Sequence, residues 1–106
     1  MSRKDQVIAK AAREEAMRNT MKAVQRHLDN VARSKGYDNI ISLCTYATDS
    51  DPIFSAEGQA GVAWRGAVWR YCNTVLAEVE AGTRAQPTVE ELIAELPTIT
   101  WPNNVT

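Results

Sequence analysis

The side chains able to do chemistry are few and scattered. His27 is the only histidine and stands between Arg26 and Leu28, with Asp29 next along. A metal site would need further ligands at coordinating spacing, and a catalytic dyad would need a nucleophile beside the imidazole. Neither is evident, so His27 reads as a surface or rim residue. Cys44 and Cys72 lack the Cys-x-x-Cys spacing of a zinc or redox centre and fall in separate predicted helices. Free buried thiols are the expectation, with a disulfide between them the minor alternative. Asp49, Ser50 and Asp51 cluster, but the spaced oxygen ligands and bidentate glutamate of a calcium loop are missing. Helix capping accounts for them. Glu78, Glu80, Glu90, Glu91 and Glu95 are abundant without forming an acid–base pair, and Glu91 and Glu95 read as a solvated pair on one helix face. Gly58-Gln59-Ala60-Gly61 is too sparse to cradle a phosphate, and no nucleotide loop or nucleophile elbow is present. The expectation is a protein without catalytic residues, cofactor or metal. Steady turnover lost on changing His27 or Glu57 would overturn it.

Composition bounds the rest. A chain of 106 residues makes one domain with a modest core. The net charge of −1 gives no general argument for nucleic acid or an anionic membrane. No apolar run approaches the ~20 residues that cross a bilayer. The N-terminus is polar and charged, unlike a secretory signal, which makes the cytoplasm of the producing cell the default compartment.

Four elements must position these side chains. Ser2 to Ser34 contains neither Gly nor Pro and is rich in Ala, Arg, Lys, Glu and Gln, which predicts a long helix stopped by Gly36. Met17, Met21, Val24, Leu28 and Val31 alternate steps of four and three, a heptad seam that fades through Glu14 and Lys10 to Val7. Val7, Ile8, Ala11 and Ala12 form a smaller apolar strip that drifts around the helix. Residues 1–15 are therefore expected to project as an arm from a bundle formed by 16–106. Such an arm is an oligomer contact or a docking element, with a frayed solvated helix end the equal alternative.

A short second helix is predicted over Ile40, Ile41, Leu43, Cys44 and Ala47, capped by Asp38. Ser50 or Asp51 caps a long third helix with Pro52 in its first turn and Gly82 at its close. Its apolar face is Trp64, Val68, Tyr71, Cys72, Val75 and Val79, while Ala56, Ala60, Ala63 and Ala67 offer a small face for another helix to approach. Gly58, Gly61 and Gly66 each cost about 1 kcal/mol against Ala, so the segment before Gly61 is expected to be irregular or bent. Trp64 and Trp69 read as core, or core and rim. Thr88-Val89-Glu90-Glu91 is a capping box opening a short fourth helix, with Leu92, Ile93 and Leu96 inward and Pro97 ending it. Trp101 is expected to pack back on the bundle, the alternative being an exposed anchor for a partner.

The fold class is thus all-α: a small bundle of about four helices with a long N-terminal helix. Its core is Trp64, Val68, Val75, Leu43, Ile40, Leu28 and Leu92. The candidate partner-binding residues are Val7, Ile8, Ala11, Met17, Met21 and Trp101.

Beyond these patterns, three stretches carry a likeness. The run Ala32 to Ala47 (ARSKGYDNIISLCTYA) resembles a recurrent RGYDSI…CSYA segment of small proteins in tailed bacteriophages and prophages. So do Ala56-Glu57-Gly58-Gln59-Ala60, the Trp64-Arg65-x-x-Val68-Trp69 pattern, and the ending Pro87 to Pro97. The likeness covers residues 24–102. It implies a tail-region protein, either a tail-fibre assembly chaperone or a minor tail component, whose partner is a tail-fibre or other tail polypeptide. It implies host cytoplasm during assembly, with the virion tail as a further location. Self-association through the N-terminal helix is compatible with it. The alternative is a regulatory helical protein that binds a host protein or nucleic acid. Its support is Arg3, Lys4, Lys10, Arg13, Arg18, Lys22 and Arg26, but Asp5, Glu14, Glu15 and Asp29 interrupt that run.

Overall fold

The computed structural model describes residues 2–102. Four α-helices follow one another: α1 (Arg3–Ser34), α2 (Ile40–Thr45), α3 (Pro52–Glu80) and α4 (Val89–Glu95). A single 3-10 turn, Tyr46–Thr48, continues α2, and no strand occurs among the described residues. The molecule is an all-α bundle with a long N-terminal helix.

Local chemistry sets most of the helix ends. Ser2 Oγ accepts the Asp5 N–H at 3.1 Å and opens α1. At the far end Gly36 takes a left-handed φ of 97°, and the Tyr37 N–H returns to the Ala32 carbonyl at 3.1 Å. Asp51 Oδ1 accepts from Ile53 and Phe54 and opens α3, with Pro52 in the first turn. Thr88 and Glu91 complete the capping box of α4. One cap moves by a residue. Asn39, rather than Asp38, opens α2, its Oδ1 accepting the Ser42 N–H at 2.8 Å. The register is set from outside the helix, because Asp29 Oδ1 on α1 accepts the Ile40 N–H at 3.1 Å. Asp38 contributes its carbonyl to Arg33 Nε instead.

The expected irregularity before Gly61 is absent, and α3 runs unbroken from Pro52 to Glu80. Propensity counts only the cost of a glycine, and here tertiary contact uses the missing side chain. A Cβ at Gly58 would overlap the backbone of Tyr46 and Ala47, and one at Gly61 would meet the Leu43 side chain at 2.7 Å. The two glycines let α2 and its 3-10 turn lie directly on α3. The small-residue face of α3 also finds a different neighbour from the helix expected. Ala60, Ala63 and Ala67 line a shallow depression with Pro97, Thr98 and Thr100, so an extended segment borders it.

The core joins Val24, Leu28 and Ala32 of α1, Ile40 and Leu43 of α2, Trp64, Val68 and Val75 of α3, and Leu92 and Leu96 at α4. Every core residue expected from the sequence is buried. Trp64 also donates its indole N–H to the Pro97 carbonyl at 2.6 Å, tying the C-terminal segment to α3. At about 1.5 Å per residue, the 32 residues of α1 span about 48 Å. The molecule measures 64 × 24 × 21 Å, and α1 enters the core only from Val24 onward.

Candidate functional site

The candidate partner-binding residues separate into two places. Val7 and Ile8 are 63 % and 57 % exposed, and Ala11 is exposed beside them. From Ser2 to Glu15 only Ala9 is even half-buried. Met17 is half-buried, whereas Met21, one step along the seam, is half exposed. Trp101 is half-buried, packs on the core rim, and lies under Lys35 Nζ at 5.4 Å from its ring centroid. Lys35 follows the C-terminal end of α1. Ile8 and Trp101 are therefore separated by most of that helix, about 40 Å. The structure does not bring them into one site.

A second exposed apolar group was not singled out from the sequence. Ile53 and Phe54, in the first turn of α3, are 42 % and 45 % exposed. Phe54 meets Tyr46 edge-on at 5.6 Å between ring centroids, and Tyr46 meets Tyr37 at 5.3 Å. This ladder of rings runs from the end of α1 to the start of α3. Two large apolar residues directly after a capping aspartate and a proline were the available signal. Ile41 and Val62 are also about half exposed. For Ile41 this departs from the expected inward placement on α2.

The groups capable of chemistry are engaged in structure. His27 is half-buried, in a T-shaped arrangement with Trp64 at 6.0 Å between ring centroids. It borders a pocket of about 180 Å³ with Val31, Ile93, Leu96 and Ile99, below the roughly 300–1,000 Å³ of small-molecule sites. Glu57 is buried, accepts the Tyr37 hydroxyl at 2.7 Å, and has Lys35 Nζ at 3.7 Å. Desolvation first, and then the bond to Glu57, push the Tyr37 phenol well above its ordinary range. The sequence signal for this joint was the spacing. Glu57 falls four and seven residues before Gly61 and Trp64, on the buried face of α3.

Cys44 and Cys72 are free and half-buried. Burial pushes both thiols up, and Arg65 only partly offsets this at Cys44, so neither is an activated nucleophile. Glu95 is not paired as a solvated carboxylate with Glu91, as the sequence suggested. It binds Arg84 and accepts the Tyr71 hydroxyl at 2.6 Å, while Glu91 turns back to Thr88. The Arg84 guanidinium, followed by the Tyr71 hydroxyl, holds the Glu95 carboxyl down at about 2. Among the described residues no three His, Cys, Asp or Glu side chains gather as a metal site, and no helix is long and apolar enough to cross a membrane.

No family model, curated protein or solved structure matches this chain.

Proposed function

We propose that this chain is a non-enzymatic protein-docking module of a bacteriophage tail. The N-terminal half of α1 seats on a tail-fibre or other tail polypeptide, in the virion or during fibre assembly. The observation that carries the docking role is the exposed helix itself. Val7, Ile8 and Ala11 stand on a stretch where the chain offers no core of its own. An isolated helix of this length is marginal in water, and helices are stabilised chiefly by packing an apolar face. A helix-on-helix or helix-in-groove contact would supply that packing. The tail setting is carried over from the resemblance alone.

The test compares the full chain with one lacking residues 1–15. Each is used to capture tail polypeptides from infected lysate, and purified particles are analysed by mass spectrometry. Loss of capture with an unchanged melting temperature is the expected result. Capture that survives the deletion overturns the reading. Presence in particles at fixed stoichiometry marks a structural component, and recovery only with unassembled fibre protein marks a chaperone. The basic side chains of α1 favour a second reading, nucleic-acid binding, which steeply salt-dependent binding of duplex DNA would support.

A further inference from the structure

The reading of α1 as a docking element leaves its partner unnamed, and two surfaces of the chain complement each other. The first is the arm. Lys4, Val7, Ile8, Ala11, Glu15, Arg18 and Lys22 fall within about 100° of the helix circumference at 100° per residue, and all seven are exposed. Three cations and one acid therefore share the face of a short apolar strip, Lys4 before it and Glu15, Arg18 and Lys22 after it along the helix. The first 22 residues hold Arg3, Lys4, Lys10, Arg13, Arg18 and Lys22 against Asp5, Glu14 and Glu15, a net of +3 in a chain whose total is −1. Arm against arm would set like charge on like charge. That pairing is disfavoured.

The second surface is the start of α3. Ile53 and Phe54 are exposed there, Tyr46 backs the Phe54 ring, and the exposed carboxylates of Asp49 and Asp51 flank them. Asp51 is held by its cap bonds to Ile53 and Phe54, and Asp49 Oδ2 accepts the Asp51 N–H at 2.9 Å. The acids are thus fixed beside the apolar pair. Apolar residues beside anions are the counterpart of apolar residues in line with cations.

The two surfaces lie at opposite ends of the molecule. Phe54 is linked through Tyr46 to Tyr37, and Glu57 lies beside Lys35, both just past the C-terminal end of α1. The strip is at the N-terminal end of that same helix, about 40 Å away. An arm cannot reach the α3 surface of its own chain. We propose that the partner of the arm is a second copy: the Val7–Ile8–Ala11 strip of one chain docks on the Ile53–Phe54 surface of the next. The contact is head to tail. Each pair keeps one unused arm and one unused α3 surface, on different chains, so assembly closes into a ring or grows as a filament. In this case the other tail polypeptide is the chain itself.

Two variants test the pairing, Val7→Ser/Ile8→Ser for the arm and Ile53→Ser/Phe54→Ser for the α3 surface. The four side chains are largely exposed, and circular dichroism with a melting curve checks that each variant folds. Sedimentation of the full chain from about 10 µM to about 1 mM, the range of weak protein contacts, should show mass rising in steps. Each variant alone should remain a monomer. Their equimolar mixture should give dimers and nothing larger, because one good arm then meets one good α3 surface. A third variant, Lys4→Glu/Arg18→Glu, leaves the apolar residues in place and should shift assembly to at least tenfold higher concentration. Raising salt should act in the same direction. A wild-type monomer throughout, a mixture that stays monomeric, or assembly that persists in Ile53→Ser/Phe54→Ser overturns the inference. If the arm is needed to capture another tail polypeptide while the chain alone stays monomeric, only this inference fails. If capture ignores the arm, the docking reading fails as well.

Discussion

Gly58 and Gly66 are the same residue type eight positions apart on one helix, and they should respond to alanine in opposite ways. At Gly58 the added Cβ would run into the backbone of Tyr46 and Ala47, which cannot swing aside as a side chain can. Separating α3 from the 3-10 turn also loosens Leu43 and the neighbouring Tyr37–Glu57 bond. Gly58→Ala should therefore cost about 1–3 kcal/mol, as overpacking does. At Gly66 the Cβ would meet only the far end of Arg70 at 2.9 Å, which is flexible and exposed. Gly66→Ala should instead stabilise by up to about 1 kcal/mol through helix propensity. Urea unfolding of the two variants beside the parent checks both signs, and an unchanged midpoint for Gly58→Ala would refute the close approach. Sequence reasoning could not separate these glycines, because propensity scores a residue against its own helix and the decisive atoms belong to residues 46 and 47. The burial of Trp64 and Val68, by contrast, was legible from three- and four-residue spacing alone.

At the scale of elements, α4 is the part most dependent on a single charged cluster. It packs Leu92 into the core, and Glu95 at its end binds Arg84 from the preceding loop and Tyr71 from α3. The Glu95 carboxyl is depressed from 4.5 to about 2, chiefly by Arg84 and then by Tyr71. A depressed carboxyl stabilises the folded form at pH values above its unfolded pKa, and that contribution fades as the pH falls through the folded one. The fastening of α4 should thus weaken between about pH 4.5 and pH 2. Trp64 reports the change, since its indole N–H is held by Pro97 just beyond α4. Its fluorescence should shift across that window, and in Arg84→Gln the transition should begin nearer pH 4.5. A curve identical to the parent would show that Arg84 is not the group that holds the carboxyl down. The capping box of α4 was legible because it is spelled within four residues. The Tyr71–Glu95 bond joins residues 24 apart and the Asp29–Ile40 bond residues 11 apart. Such pairs leave no local trace, which is why Asp38 was expected where Asn39 caps.

The whole molecule is a bundle with one helix longer than the bundle needs. The sequence pattern could say where the heptad seam fades but not what lies beside the strip that follows, because that partner's residues are not in the helix itself. The same is true of the Ile53–Phe54 surface, where exposure depends on how α2 and the 3-10 turn are laid. Hydrogen exchange separates an occupied arm from an idle one. Amides from Val24 to Ala32 lie along buried side chains and should exchange only on global unfolding. Those from Val7 to Arg18 have helical hydrogen bonds but almost no packing, so in dilute protein they should exchange by local fraying, far faster. When the arm is seated, on a second copy or on a different polypeptide, protection should spread to Val7–Arg18 and appear at the start of α3 only in the copy-to-copy case. Strong protection of the arm in monomeric, unbound protein would mean that the helix holds itself together. Its exposed apolar strip would then lose its claim to be a docking surface.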